Sequence, residues 1–304
     1  MAVPGAYAAD LLVTGSGVIV PNNPLNDFIL GGKAQIDAAL AADPTFVSFW
    51  IGNNETLAPA SVGMLGGVAG AAPPLIPASV EIPALKAALD SLVRGAKHLQ
   101  GGIIIGAVRV VNAARFWSMD SLLTATKKIS FDAFTGQTST ILPNCVAAKG
   151  AGWMISSEIA KAIRLYGVAP TNPSAHPPLI SCGSAAPFAP APVGDIFMLD
   201  PTELATLNAT TDAYNAYLKA KADTLHWAYL DPNVLLAAQR TGATPAIPAF
   251  PNWTSATRDA STSVFGALFS LDGVHPTAAA QKLIANAMID SVNSKYGTKL
   301  IKAP

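Results

Sequence analysis

Apolar and polar positions alternate along this chain in two rhythms, short buried runs and stretches of helical period. Residues 45–51, Thr45-Phe46-Val47-Ser48-Phe49-Trp50-Ile51, are apolar and rich in β-branched and aromatic types, the pattern of a buried strand in a parallel sheet. Residues 103–108 repeat it after the Gly101-Gly102 break, and residues 227–230 give a third, shorter run. Between these runs the period lengthens. Residues 33–42 read as a short alanine-rich helix ended by Asp43-Pro44. Residues 83–98 place Leu85, Leu89 and Leu92 at helical spacing, with Pro83 in the first turn. Asp200-Pro201-Thr202-Glu203 is a helix start, with Asp200 as N-cap and Glu203 in the first turn, and the helix continues to residue 222. Residues 277–296 form the last helix, stopped by Gly297, with Ile284, Ala287, Met288 and Val292 as its buried stripe. Strands alternating with helices predict a three-layer α/β/α fold on a parallel sheet.

Two regions interrupt the rhythm. Residues 56–82 are Gly-, Pro- and Ala-rich and read as a loop. Residues 116–192 read as an irregular insertion or lid in a single domain spanning 1–304, with a helix over 156–166. Phe116, Trp117, Phe131 and Trp153 either line a ligand pocket there or pack the insertion onto the core.

Composition narrows the partners. The chain has 304 residues, 51% of them hydrophobic, so a large core is within reach. Only 12% are charged, with 19 Lys plus Arg against 19 Asp plus Glu. No basic field exists to hold nucleic acid or an anionic membrane surface. The most apolar stretch, residues 62–80, contains Gly66, Gly67, Gly70, Pro73, Pro74 and Pro77, which forbid a continuous spanning helix. No secretory leader is visible after Met1. Cys145 and Cys182 both lie in the insertion. In an exported protein they would pair and staple it, and the alternative is two free thiols. No cysteine–histidine spacing suggests a metal site.

Candidate chemistry sits in two short segments. Asp272-Gly273-Val274-His275-Pro276 sets a carboxylate three residues before a histidine, in a turn leading into the last helix. Such a pair can fix an imidazole tautomer for general-base work. Alone, it is equally a surface Asp-Gly turn with a solvated histidine. Gly52-Asn53-Asn54-Glu55 follows the strand at 45–51, at the strand end where α/β sheets bind ligands. An asparagine there can donate to an oxyanion, though Gly-Asn-Asn is also ordinary turn chemistry. His98, His176 and His226 lack an equivalent setting and read as structural or solvated.

Together these segments resemble the SGNH (GDSL) hydrolase family of esterases and lipases. Gly52-Asn53-Asn54-Glu55 is similar to the family's Gly-x-Asn-Asp block, with Glu55 in place of Asp, and Asp272-Gly273-Val274-His275-Pro276 to its Asp-x-x-His block. Ala2-Val3-Pro4-Gly5-Ala6 resembles its glycine block. The resemblance implies a flavodoxin-like fold and acyl-enzyme chemistry on a small-molecule or lipid ester, with no cofactor. It makes His275 the general base and Asp272 its orienting carboxylate. Asn54 and the Gly5 backbone N–H become the oxyanion hole, with Asn53 variable and Glu55 a local turn or helix-cap acceptor. It also implies an exported protein.

One departure stands against these matches. The family's nucleophilic serine, in a Gly-Asp-Ser block upstream of the glycine that Gly5 resembles, has no counterpart here. Ser16 and Ser184 are Gly-flanked lookalikes, and Ser16 aligns with a loop after the glycine block. The favoured expectation is a natural chain that extends upstream of Met1 and a present form inactive on esters. The runner-up is a degenerate member that binds an acyl or glycan ligand without turnover. A flavodoxin-like cofactor-binding module ranks last, because no Gly-rich phosphate loop follows a strand.

Overall fold

Three short β-runs and the helices between them assemble around one parallel sheet. The computed structural model describes residues 3, 5–12, 24–67, 74–119, 129–130, 138–141, 143–145, 152–156, 179–180, 182, 198–248 and 265–304. In chain order the helices are α1 (Pro24–Leu30), α2 (Gln35–Ala41), α3 (Asn54–Val62), α4 (Ala78–Gly95), α5 (Pro201–Leu225), α6 (Pro232–Ala238) and α7 (Ala278–Tyr296). The strands are β1 (Phe46–Trp50), β2 (Gly101–Ile105), β3 (Phe116–Ser118), β4 (Ile129–Ser130), β5 (Thr138–Ile141), β6 (Met154–Ser156), β7 (Leu179–Ile180), β8 (Met198–Leu199) and β9 (Ala228–Leu230). Among the described residues, no helix is long and apolar enough to cross a membrane.

The main sheet has the order β1-β2-β9, with both pairs parallel; Phe46 lies opposite Gly101, and Ile103 opposite Ala228. On one face, Leu85, Leu89 and Leu92 of α4 and Leu218 and Ala222 of α5 pack on Phe49, Ile104 and Trp227, joined by Ile36 of α2. On the other face, Val292, Ala287 and Met288 of α7 cover Ile103, Ile105, Ala228 and Leu230. The α/β class expected from the sequence is therefore present, with helices on both faces of a parallel sheet.

Several boundaries differ for physical reasons. β1 is not the buried strand expected: Phe46 is 44% and Trp50 38% exposed, because β1 is the last strand on its side among the described residues. The region 56–82 is not one loop, since α3 runs to Val62 through Pro59. A proline at the sixth position of a helix removes only one early hydrogen bond. In the same way α4 starts at Ala78, so Pro83 stands inside the helix on an exposed position. Of the α7 stripe, Val292 is buried and Ala287 and Met288 are partly buried, while Ile284 faces a cavity described below.

The insertion carries structure of its own. β3, β6 and β8 form an antiparallel sheet, and β4, β5 and β7 a second small one. Cys145 and Cys182 are disulfide-bonded across a separation of 37 residues, with Cα atoms 5.1 Å apart. Of the helix expected over 156–166, Ser156 ends β6 and the remainder lies outside the described residues.

Candidate active site

The segment from Leu268 to Thr277 closes on itself. Phe269 and Pro276 form an antiparallel bridge, Ser270 N donates to His275 O at 2.8 Å, and Thr277 N donates to Leu268 O at 3.1 Å. Gly273 makes the turn with φ +70°, and its carbonyl accepts from Arg115 N at 2.7 Å. A Cβ at Gly273 would stand 2.9 Å from the Arg115 backbone, so the close approach needs glycine. Thr277 then caps α7 by accepting from Ala280 N at 3.3 Å.

This loop builds the carboxylate–imidazole pair. Asp272 Oδ1 accepts from Ser270 Oγ at 2.6 Å, Val274 N at 2.8 Å and His275 N at 2.9 Å. Asp272 Oδ2 meets His275 Nδ1 in a short hydrogen bond. Partial burial works to raise the Asp272 carboxyl, but hydrogen bonds from His275, Ser270 and the two backbone amides hold it well below the ordinary carboxylate range. An ionised Asp272 keeps the proton of a neutral ring on Nδ1 and leaves Nε2 as the basic atom. The His275 side chain is 76% exposed, so that atom is accessible.

His275 opens onto a cavity of about 230 Å³. Its polar rim is Asn53, Asn54, Thr56 and His275. The remaining walls include Val108 and Val110 after β2, Leu235 and Leu236 of α6, Leu268 and Phe269, and Leu283 and Ile284 of α7. The structure thus brings His275 and Asn54 to one space. Asn54 reaches it because Gly52, at φ +103°, turns the chain sharply after β1 and α3 begins at once. Asn54 Nδ2 donates one hydrogen to Ala6 O at 2.7 Å; for its second hydrogen no acceptor stands among the described residues. Gly5, with φ +72°, precedes that carbonyl by one residue but is not among the cavity walls. Thr56 Oγ1 donates to Asn53 O at 3.3 Å, inside its own helix turn.

Sequence reasoning missed the asparagines that hold the β2 end of the cavity. Asn53 Oδ1 accepts from Val108 N at 2.8 Å, which gives this residue a structural task instead of the variable role expected. Asn215 accepts from Ala107 N at 2.7 Å and donates to Ala107 O at 2.9 Å. Asn233 accepts from Arg109 N at 2.7 Å and donates to Ala107 O at 2.9 Å. Residues 107–109 leave the sheet with no strand partner among the described residues, and three side chains supply what the ladder no longer does. Nothing in the sequence joined Asn215 or Asn233 to β2.

Glu55 also departs from its expected part as a local cap. It is fully buried and accepts from Ala8 N at 2.6 Å, tying α3 to the N-terminal segment. Glu81 of α4 is its buried neighbour. Burial, then the charge of Glu55, pushes the Glu81 carboxyl up to about 10. Two ionised carboxylates would leave Glu55 Oε2 and Glu81 Oε1 buried without a donor. A proton on Glu81 supplies the hydrogen bond between them.

Of the two readings of the insertion aromatics, packing holds for those among the described residues. Phe116 is buried against Ala60 and Leu199, and Trp117 against Ile155 and Phe269, with Trp153 packed on the same cluster. Phe131, His176, Ser16 and Ser184 lie outside the described residues. His98 is exposed and meets Asp43 at 2.8 Å, and His226 is the left-handed C-cap of α5. No family model, curated protein or solved structure matches the chain.

Proposed function

We propose that this protein is a serine-type carboxylic ester hydrolase, esterase- or lipase-like, of the SGNH (GDSL) kind with a flavodoxin-like α/β/α sandwich. The observation that carries the reading is the opening of the Asp272–His275 pair onto the same apolar-walled cavity as Asn54. A serine Oγ bonds to the ester carbonyl carbon as its proton passes to His275 Nε2. Asp272 balances the imidazolium. The second N–H of Asn54 stabilises the oxyanion, with the Gly5 backbone N–H assigned beside it by resemblance alone. Collapse breaks the bond to the alcohol oxygen, which takes the proton from His275. Water then repeats the sequence on the acyl-enzyme and releases the acid. The substrate class is a small-molecule or lipid ester. The Cys145–Cys182 disulfide favours an exported protein, because disulfides persist in oxidising compartments.

A second reading has its own support. Thr56, the hydroxyl of the cavity rim, is engaged with a backbone carbonyl, and Ser270 with Asp272. A member that binds an acyl group without turnover needs nothing more. Hydrolysis of p-nitrophenyl butyrate separates the two. The expected result is negligible turnover for the chain of 304 residues and clear turnover once a Gly-Asp-Ser segment is joined upstream. In that active form, Asn54→Ala lowers kcat by roughly 100- to 1,000-fold with little change in KM. An active form indifferent to His275→Ala and Asp272→Asn ends the hydrolase reading at this site.

A further inference from the structure

The cavity beside His275 offers a ligand very few polar partners. Asn53 Oδ1 already accepts from Val108 N, and Thr56 Oγ1 already donates to Asn53 O. Asn54 has one hydrogen on Ala6 O, which leaves its second hydrogen and His275 Nε2 as the side-chain groups open to a ligand among the described residues. The other described walls carry no charged side chain. A ligand with hydroxyls, amides or charges along its length would lose its water against these walls and gain no hydrogen bond in return, which is costly. The walls therefore select a hydrocarbon tail over a glycan.

The cavity also has a packed floor. Val110 and Ala113 belong to one core cluster, Leu268, Phe269 and Ala280 to another, and each is at most 7% exposed. Close-packed walls of this kind do not stretch to suit a longer ligand, so volume sets the capacity. An apolar cavity of about 150 Å³ takes one benzene ring, or about 25 Å³ per carbon. At that rate the 230 Å³ here hold about nine carbons. The side of the ester is set by His275, which returns its proton to the leaving alcohol and whose side chain is 76% exposed. The alcohol departs on that open side, and the buried side is left to the acyl chain.

We propose that this cavity is a length-limited acyl subsite for straight saturated chains of about nine carbons, with α7 setting the limit through Ala280 and Leu283. These two residues stand on successive turns of the helix and both wall the cavity. That the chain is joined to an ester rests on the hydrolase reading; the fit of the chain does not.

Isothermal titration calorimetry of the full chain with the straight acids from butanoic to dodecanoic reads the limit without any turnover. Affinity should rise about four-fold for each added methylene up to about nine carbons and then level off. Ala280→Leu adds side-chain volume to the wall and should move that break down by about three carbons, while Leu283→Ala removes it and should move the break up by about three. Leu283→Ala keeps the test decisive if overpacking unfolds Ala280→Leu. Absent binding, an affinity indifferent to chain length, a break that the folded variants leave in place, or a disaccharide that displaces octanoic acid overturns the proposal. The hydrolase reading fails separately. An active form indifferent to His275→Ala ends that reading and says nothing against the break in affinity, whereas a missing break ends the subsite and says nothing against turnover.

Discussion

Replacing Glu81 by Gln should flatten the pH dependence of folding stability. The Glu81 carboxyl has an ordinary value of 4.5 and is pushed up to about 10 by burial and by Glu55. Between those values the folded chain holds a proton that the unfolded chain has released. Stability therefore falls as pH rises, by about 1.4 kcal/mol per pH unit for one proton. From pH 6 to pH 8 this amounts to about 3 kcal/mol. For a chain of 304 residues that corresponds to roughly 5 °C in Tm. The amide introduced by Glu81→Gln would still offer an N–H to the Glu55 carboxylate but would not titrate. Urea unfolding followed by tryptophan fluorescence at pH 6, 7 and 8 measures the slope directly. A native protein whose midpoint is the same at pH 6 and pH 8, or a Glu81→Gln variant that keeps the native slope, refutes the shared-proton account. Asp272 contributes in the opposite window, because its depressed carboxyl stabilises the fold above its ordinary 3.8 and loses that contribution only as pH falls through its low folded value.

Three further outcomes follow from the geometry. Asn53→Ala strands the Val108 N–H inside the cavity wall and should cost about 1–3 kcal/mol in urea unfolding, more than an exposed turn residue would. Gly273→Ala forces a Cβ to 2.9 Å from the Arg115 backbone at φ +70°, so it should lower stability by about 2 kcal/mol and disturb the His275 ring resonances in NMR spectra. Mass spectrometry of the non-reduced protein should find no alkylatable thiol, and reduction of the Cys145–Cys182 bridge should remove up to about 4 kcal/mol in the chain-entropy limit.

The sequence was most legible where local chemistry and tertiary structure agree. Asp200 caps α5 and Glu203 stands in its first turn as expected, and the two also close a capping box; Thr277 and Gly297 bound α7 where the pattern placed them. The Asp272–His275 hydrogen bond was readable for the same reason, since three residues and a glycine turn suffice to make it. Legibility failed where a residue acts across the chain. Glu55 reads as a cap from its neighbours, yet its partners Ala8 and Glu81 come from other elements. Asn53 reads as a turn residue, yet it holds Val108. The insertion aromatics read as either pocket lining or packing, because large apolar side chains in irregular sequence serve both. Phe116, Trp117 and Trp153 pack in the clusters behind the cavity, whose wall is formed by neighbours in those clusters such as Val110, Leu236, Leu268 and Leu283.

The mismatch at β1 carries the most information about the whole protein. Its pattern is that of an interior strand, apolar on both faces and without the lysines, prolines or bulges that protect sheet edges. Its position among the described residues is that of an edge, with Phe46 and Trp50 more than a third exposed. The exposure follows from the sheet's order, since β1 pairs with β2 on one side only among the described residues. α2 and α7 flank that edge, and Ile284, Ala285 and Met288 of α7 stand beside it half-buried. With only 12% charged residues, the chain has little surface charge to offset an apolar edge, so the two helices that flank it carry the task of shielding it.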